Sequence, residues 1–102
     1  MEDMELICFK IISAVGEAKS TYIEAIEKAK VKEFKVAKEL IAQGEEMFLK
    51  GHLAHASLIQ QEASGNKTPI DLLLLHSEDQ LMSAEVVKLL AVELITLYEK
   101  IN

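Results

Sequence analysis

Hydrophobic residues recur along this chain at spacings of three and four rather than two, a period that predicts helices and argues against strands. Over residues 3–30 one broad face collects Met4, Ile7, Ile11, Ala14, Ala18, Ala25 and Ala29, with Asp3 in place to cap the first turn. The later part of that stripe is alanine, which permits a close interaxial approach and asks the facing helix for larger side chains. Residues 33–64 repeat in a three-four alternation through Phe34, Ala37, Ile41, Gly44, Phe48, Gly51, His55 and Leu58, the spacing of a left-handed bundle seam. Gly44 and Gly51 each cost about 1 kcal/mol against alanine inside a helix. A close backbone approach opposite Phe48 or its neighbours is the expected compensation. Gly65 ends the segment. Thr68, Pro69, Ile70 and Asp71 then predict a third helix start, with Thr as cap, Pro at the first helical position and Asp within the first turn. That helix runs to about residue 101, with one stripe through Val86, Leu90, Leu94, Leu97 and Ile101 and a second containing Leu89 and Val92.

The expected fold class is all-α, built on three long helices in a single domain over residues 1–102. Helices of about 28 to 33 residues are roughly 40 to 50 Å long, too long for a compact globule of this size. The leucine run at residues 72–75 and the doubled stripe of the third helix offer more apolar surface than two partner helices need. Self-association accounts for the surplus, and a fully buried core turn is the alternative for the leucine run.

Composition narrows the partners. Eleven basic against seventeen acidic residues give a formal charge of -6 without any Lys/Arg cluster, so neither nucleic acid nor an anionic membrane surface is an expected partner. The one cysteine, Cys8, lies between Ile7 and Phe9 and reads as a buried structural thiol, which excludes an internal disulfide framework and fits the cytoplasm. The opening MEDMELICFKIISAVG carries acids where a signal peptide needs a basic flank. No run of about 18 apolar residues occurs, so no membrane insertion is expected.

The candidate chemistry sits in LLLLHSEDQLM, residues 72–82, where an ionisable cluster interrupts the strongest apolar signal. On a helix His76, Asp79, Gln80 and Ser83 share one face, and that face runs forward into Val86 and Leu90. Part of the polar set is therefore expected at a helical interface. Four readings fit the spacing: a satisfied polar patch, a zinc site, acid/base hydrolysis with His76 as base, and a nucleophilic histidine that accepts a transferable group. The last needs an imidazole nitrogen exposed at a rim, its other nitrogen held by an acceptor, and donors such as Gln80 or Ser83 for phosphoryl oxygens. Asp79 reads either as an exposed acid beside Glu78 or as a carboxylate that converges with symmetry copies and recruits a hard divalent cation. His52 and His55, three apart, read as a core-edge pair. Lys19 and Ser20, in GEAKS, are candidate phosphate-stabilising groups late in the first helix.

Taken together, LLLLHSEDQLMSAEVVKLLAVELITLYEKI, GEAKS and HLAHASLIQQEASG resemble, in order and separation, the IIA components of the lactose/cellobiose (diacetylchitobiose) branch of the bacterial sugar phosphotransferase system. The resemblance implies an up-down-up bundle of three antiparallel helices assembled as a homotrimer. It also implies a phosphotransferase role, in which His76 accepts a phosphoryl group from the histidine phosphocarrier protein and donates it to a cysteine of the cognate IIB component for uptake of lactose- or cellobiose-type sugars. Gln80 matches the signature position that supports the active histidine or its phosphate. Asp79 matches the axial aspartate that ligates Mg²⁺, one ion per trimer at the threefold axis. His52 matches a histidine of helix two, whereas His55 stands where relatives usually carry Gln, and Gly51 where they carry Ala. The rival reading from the residues alone is a non-enzymatic helical oligomer or metal-binding module.

Overall fold

In the computed structural model, which describes residues 3–102, the chain forms α1 (Met4–Lys30), α2 (Phe34–Ala63) and α3 (Leu72–Ile101), with no strand among the described residues. The bundle measures 53 × 21 × 16 Å, a rod rather than a globule. Ties between α2 and α3 descend one helix as they climb the other: Lys38 pairs with Glu99, Glu45 with Lys88, and His55 with Glu78. The two helices are therefore antiparallel. Shared core clusters, with Ile7 and Leu74 at one end and Ala29 and Ile95 at the other, make α1 and α3 parallel, completing the up-down-up arrangement.

The first helix begins and ends where its chemistry dictates. The Asp3 carboxylate accepts from the Glu5 amide at 3.3 Å, as its position in the sequence implies. At the other end Lys32 takes φ of 65°, and its amide and that of Glu33 return to the carbonyls of Ala29 and Lys28 at 3.1 and 2.9 Å. These two bonds close a Schellman turn without the usual glycine, which is why no Gly or Pro marks the boundary.

α1 packs against both other helices. It buries Ile7, Ile11, Ala18, Ala25 and Ala29 as the periodicity requires, joined by Cys8, Val15 and Tyr22, while Ala14 is only half-buried. The residues α2 buries are small apart from Leu58, namely Ala37, Gly44 and Gly51. The glycines face α1 rather than making room around Phe48. A Cβ on Gly44 would lie 2.5 Å from Tyr22 Cε1, and one on Gly51 would lie 2.6 Å from Val15 Cγ1. Large side chains on α1 thus fill the space that glycine leaves on α2.

One expectation for α3 is corrected. The helix starts at Leu72 with Asp71 as its N-cap, the Asp71 Oδ1 accepting from the Leu74 amide at 2.8 Å. Thr68, Pro69 and Ile70 lie outside the helix, and the buried Thr68 hydroxyl has no partner among the described residues. A carboxylate at the cap satisfies the third amide directly, and Pro69 biases the residue before it toward extended backbone. The face that packs inward is Leu74, Ser77, Leu81, Ala84, Ala91 and Ile95. The stripes read as surplus to the two partner helices, including Val86 at 55% exposure and Leu90 at 56%, point outward. Helical periodicity locates an apolar face but does not say which of two such faces the chain itself covers.

Candidate functional site

The candidate site is built on the first three turns of α3. Ser77 is fully buried, its hydroxyl donating to the Leu74 carbonyl at 2.8 Å. Burying Ser77 turns its neighbours outward, so His76 and Asp79 are exposed and Gln80 and Ser83 are half-buried. His76 lines an open apolar hollow with Leu72 and Leu73. Its imidazole has no hydrogen-bond, ionic or ring partner among the described residues. The acceptor expected for its second nitrogen is therefore not found among the described residues.

The other two histidines are engaged. His52 stacks on Phe48 with ring centroids 6.3 Å apart, and His55 Nε2 lies 2.6 Å from Glu78 Oε1. They hold separate partners, with His55 half-buried at the edge of the core and His52 exposed beside Phe48. Glu78, the carboxylate nearest His76 in sequence, is turned to α2. On the other flank Lys19 Nζ donates to Ser83 Oγ at 2.9 Å, with no carboxylate pairing that ammonium among the described residues. Ser20, the other residue of GEAKS singled out, is exposed. The His55–Glu78 and Lys19–Ser83 bonds escaped the sequence reading, because each joins residues on different helices whose relative rotation no local spacing encodes.

Asp79 lies in the middle of the outward apolar stripe. Leu72, Leu75, Met82, Val86 and Leu90, all exposed, fall within about 60° of it around the helix. No three His, Cys, Asp or Glu side chains among the described residues are placed to share a metal ion. Among the described residues Asp79 is the one hard oxygen ligand there, suited to Mg²⁺ in kind, and sharing an ion would take further copies of the stripe. Beneath this surface burial pushes the Cys8 thiol above its ordinary value; a hydrogen bond with Ser77 opposes that, and the Asp71 and Glu78 carboxylates add to it. Cys8 is thus a buried structural thiol, as its neighbours suggested.

The model of the family described as "PTS system, Lactose/Cellobiose specific IIA subunit" matches residues 6–99. The lichenan-specific phosphotransferase enzyme IIA component of Bacillus subtilis is 43% identical over 101 residues, covering 99% of this chain and 92% of the relative. Among solved structures, the cellobiose-specific enzyme IIA of Bacillus anthracis superposes with a TM-score of 0.93 at 39% identity, over 99% of this chain and 94% of the other. The IIA(Chitobiose) of Escherichia coli, solved in complex with HPr, gives a TM-score of 0.85 at 31% identity, over 99% and 98% of the two chains.

Proposed function

The chain belongs to the lactose/cellobiose-specific IIA family of the phosphotransferase system, and we propose from this that His76 is its phosphoryl carrier, loaded by the histidine phosphocarrier protein HPr and discharged to a cysteine of the cognate IIB component. One observation carries the assignment. Of the three histidines, only His76 presents an unengaged imidazole at the surface. A relative solved as a complex with HPr supports the donor.

The reaction is an in-line exchange between proteins. A nitrogen of His76 forms the new N–P bond while the donor's N–P bond breaks and its electron pair returns to the donor imidazole. With a nitrogen leaving group of near-neutral pKa, the site needs orientation and donors more than acid catalysis. Gln80, one turn on, is the residue to donate to the phosphoryl oxygens. Leu72, Leu73 and Leu75 restrict water around the phosphorylated ring. The passenger sugars are of the lactose/cellobiose kind, and the relay operates in the cytoplasm; no helix among the described residues is long and apolar enough to cross a membrane.

The outward stripe of α3 is the surface of a homotrimer, in which the Asp79 side chains converge at the threefold axis. Asp79 from each copy would hold a Mg²⁺ there, and the ion would supply positive charge that offsets their mutual repulsion. Asp79→Leu is expected to stay folded and trimeric by light scattering, because apolar contact replaces convergent carboxylates. Dissociation to monomers would show the carboxylates to be essential ligands.

The decisive test is incubation with labelled phosphoenolpyruvate, the enzyme that charges HPr, and HPr itself. One phosphoryl group per subunit on His76, absent in His76→Gln, is the expected result. An unlabelled His76, or a His76→Gln chain labelled like the parent, would leave a structural oligomer as the better account.

A further inference from the structure

α3 approaches α2 less closely than it approaches α1, and the apolar residues of α2 that share its core clusters are, apart from Leu58, small or only half-buried. Side-chain pairs set the rotation of α3 on that flank. Two of them, Lys38–Glu99 and Glu45–Lys88, are surface ion pairs with every partner at least 36% exposed, and such pairs contribute little. The third, His55–Glu78, is different: it is 2.6 Å long, its histidine is only 17% exposed, and an imidazole with two rotors is a short stiff strut. On the opposite flank Lys19, anchored on α1, holds Ser83 at 2.9 Å. Glu78 and Ser83 are about 7.5 Å apart along the axis and about 140° apart around it, so a roll of α3 that relaxes one bond strains the other.

We propose that the His55–Glu78 and Lys19–Ser83 bonds act as opposed stays that fix the roll of α3 and thereby aim His76 at its partner's phosphoryl group. His55, Glu78, Lys19 and Ser83 are on this reading positioning residues for a reaction none of them touches. The leverage follows from geometry. A side-chain tip about 8 Å from the helix axis moves about 1.4 Å for a 10° roll, and a misplacement of about 1 Å costs on the order of a hundredfold in a reaction that depends on alignment. The proposal rests on His76 being the phosphoryl carrier.

The test compares the parent chain with His55→Leu, His55→Gln and Lys19→Met, measuring HPr-dependent phosphorylation at saturating and limiting HPr, thermal midpoints, and the imidazole NMR resonances of His76. His55→Leu and Lys19→Met are expected to lower kcat about tenfold with KM for HPr within about twofold, and to shift the His76 resonances. His55→Gln keeps a donor that reaches Glu78 and is expected to retain at least half of kcat. Unchanged kcat and resonances in His55→Leu would overturn the proposal. So would a His55→Gln chain as impaired as His55→Leu, or losses that track the thermal midpoint alone. If the parent chain is not labelled at all, the carrier assignment fails, while the His76 resonances still report whether the stays set the ring.

Discussion

The inward and outward faces of α3 are both apolar and have opposite fates. Leu74, Leu81 and Ile95 are buried against the other helices of the same chain, with Ala84 and Ala91 keeping the approach close. Leu72, Leu75, Met82, Val86, Leu90 and Leu97 point away from every other described residue's core. The inward face carries one polar residue, Ser77, satisfied within its own turn. The outward face carries Asp79, which has no such partner. α3 thus has two apolar faces, one spent within the subunit and one turned outward, with Asp79 on the outward one.

That contrast breaks most visibly on the outward side. Leu90→Asp is expected to leave helicity and the thermal unfolding of the isolated subunit intact while abolishing the trimer by light scattering at micromolar concentration, since three introduced carboxylates would face one another. A trimer that survives would show the outward face to be uncovered. On the inward side, Leu81→Ala should cost about 3 kcal/mol in urea unfolding through lost burial and a cavity. An effect below about 1 kcal/mol would mean that α3 is not held by that face.

A smaller effect sharpens the account of the interior. Tyr22 is fully buried, its hydroxyl lacks a partner among the described residues, and burial raises its pKa from 10.0. Tyr22→Phe should therefore stabilise the chain by about 1 kcal/mol. The sign of the pH dependence follows from both raised groups. Above the ordinary values of 9.0 for Cys8 and 10.0 for Tyr22, the unfolded chain releases protons that the folded chain keeps, so stability present at neutral pH is lost as pH rises through the folded pKa values. Urea midpoints should fall between neutral pH and pH above about 10, and fall less in Tyr22→Phe. The smallest expected change touches neither face: Lys32→Gly, at φ of 65°, should add about 0.5 kcal/mol without altering assembly or phosphorylation.

The same division explains what could be read in advance. Helix positions, the Asp3 cap, the buried Cys8 and the Gly65 stop follow from local periodicity and capping chemistry. The start of the third helix is ambiguous in the sequence because Thr68-Pro69 and Asp71 both make plausible caps. The candidate residues His76, Asp79 and Gln80 were visible as an ionisable break in an apolar run. Their separation into an exposed imidazole, an outward carboxylate and a half-buried amide follows from the burial of Ser77 within the same turn.

By itself, then, the sequence determined that this chain is three long helices with an ionisable cluster near the start of the third, because hydrophobic period and capping are local properties. Only the tertiary structure decided which apolar face of α3 is spent within the subunit, that Glu78 goes to His55 and not to His76, and that Lys19 reaches Ser83. Those outcomes depend on how far each helix is rotated about its axis. That rotation is set by side chains remote in sequence, between α1 and α2 by Tyr22 against Gly44 and Val15 against Gly51, where the absence of a Cβ lets the two helices meet.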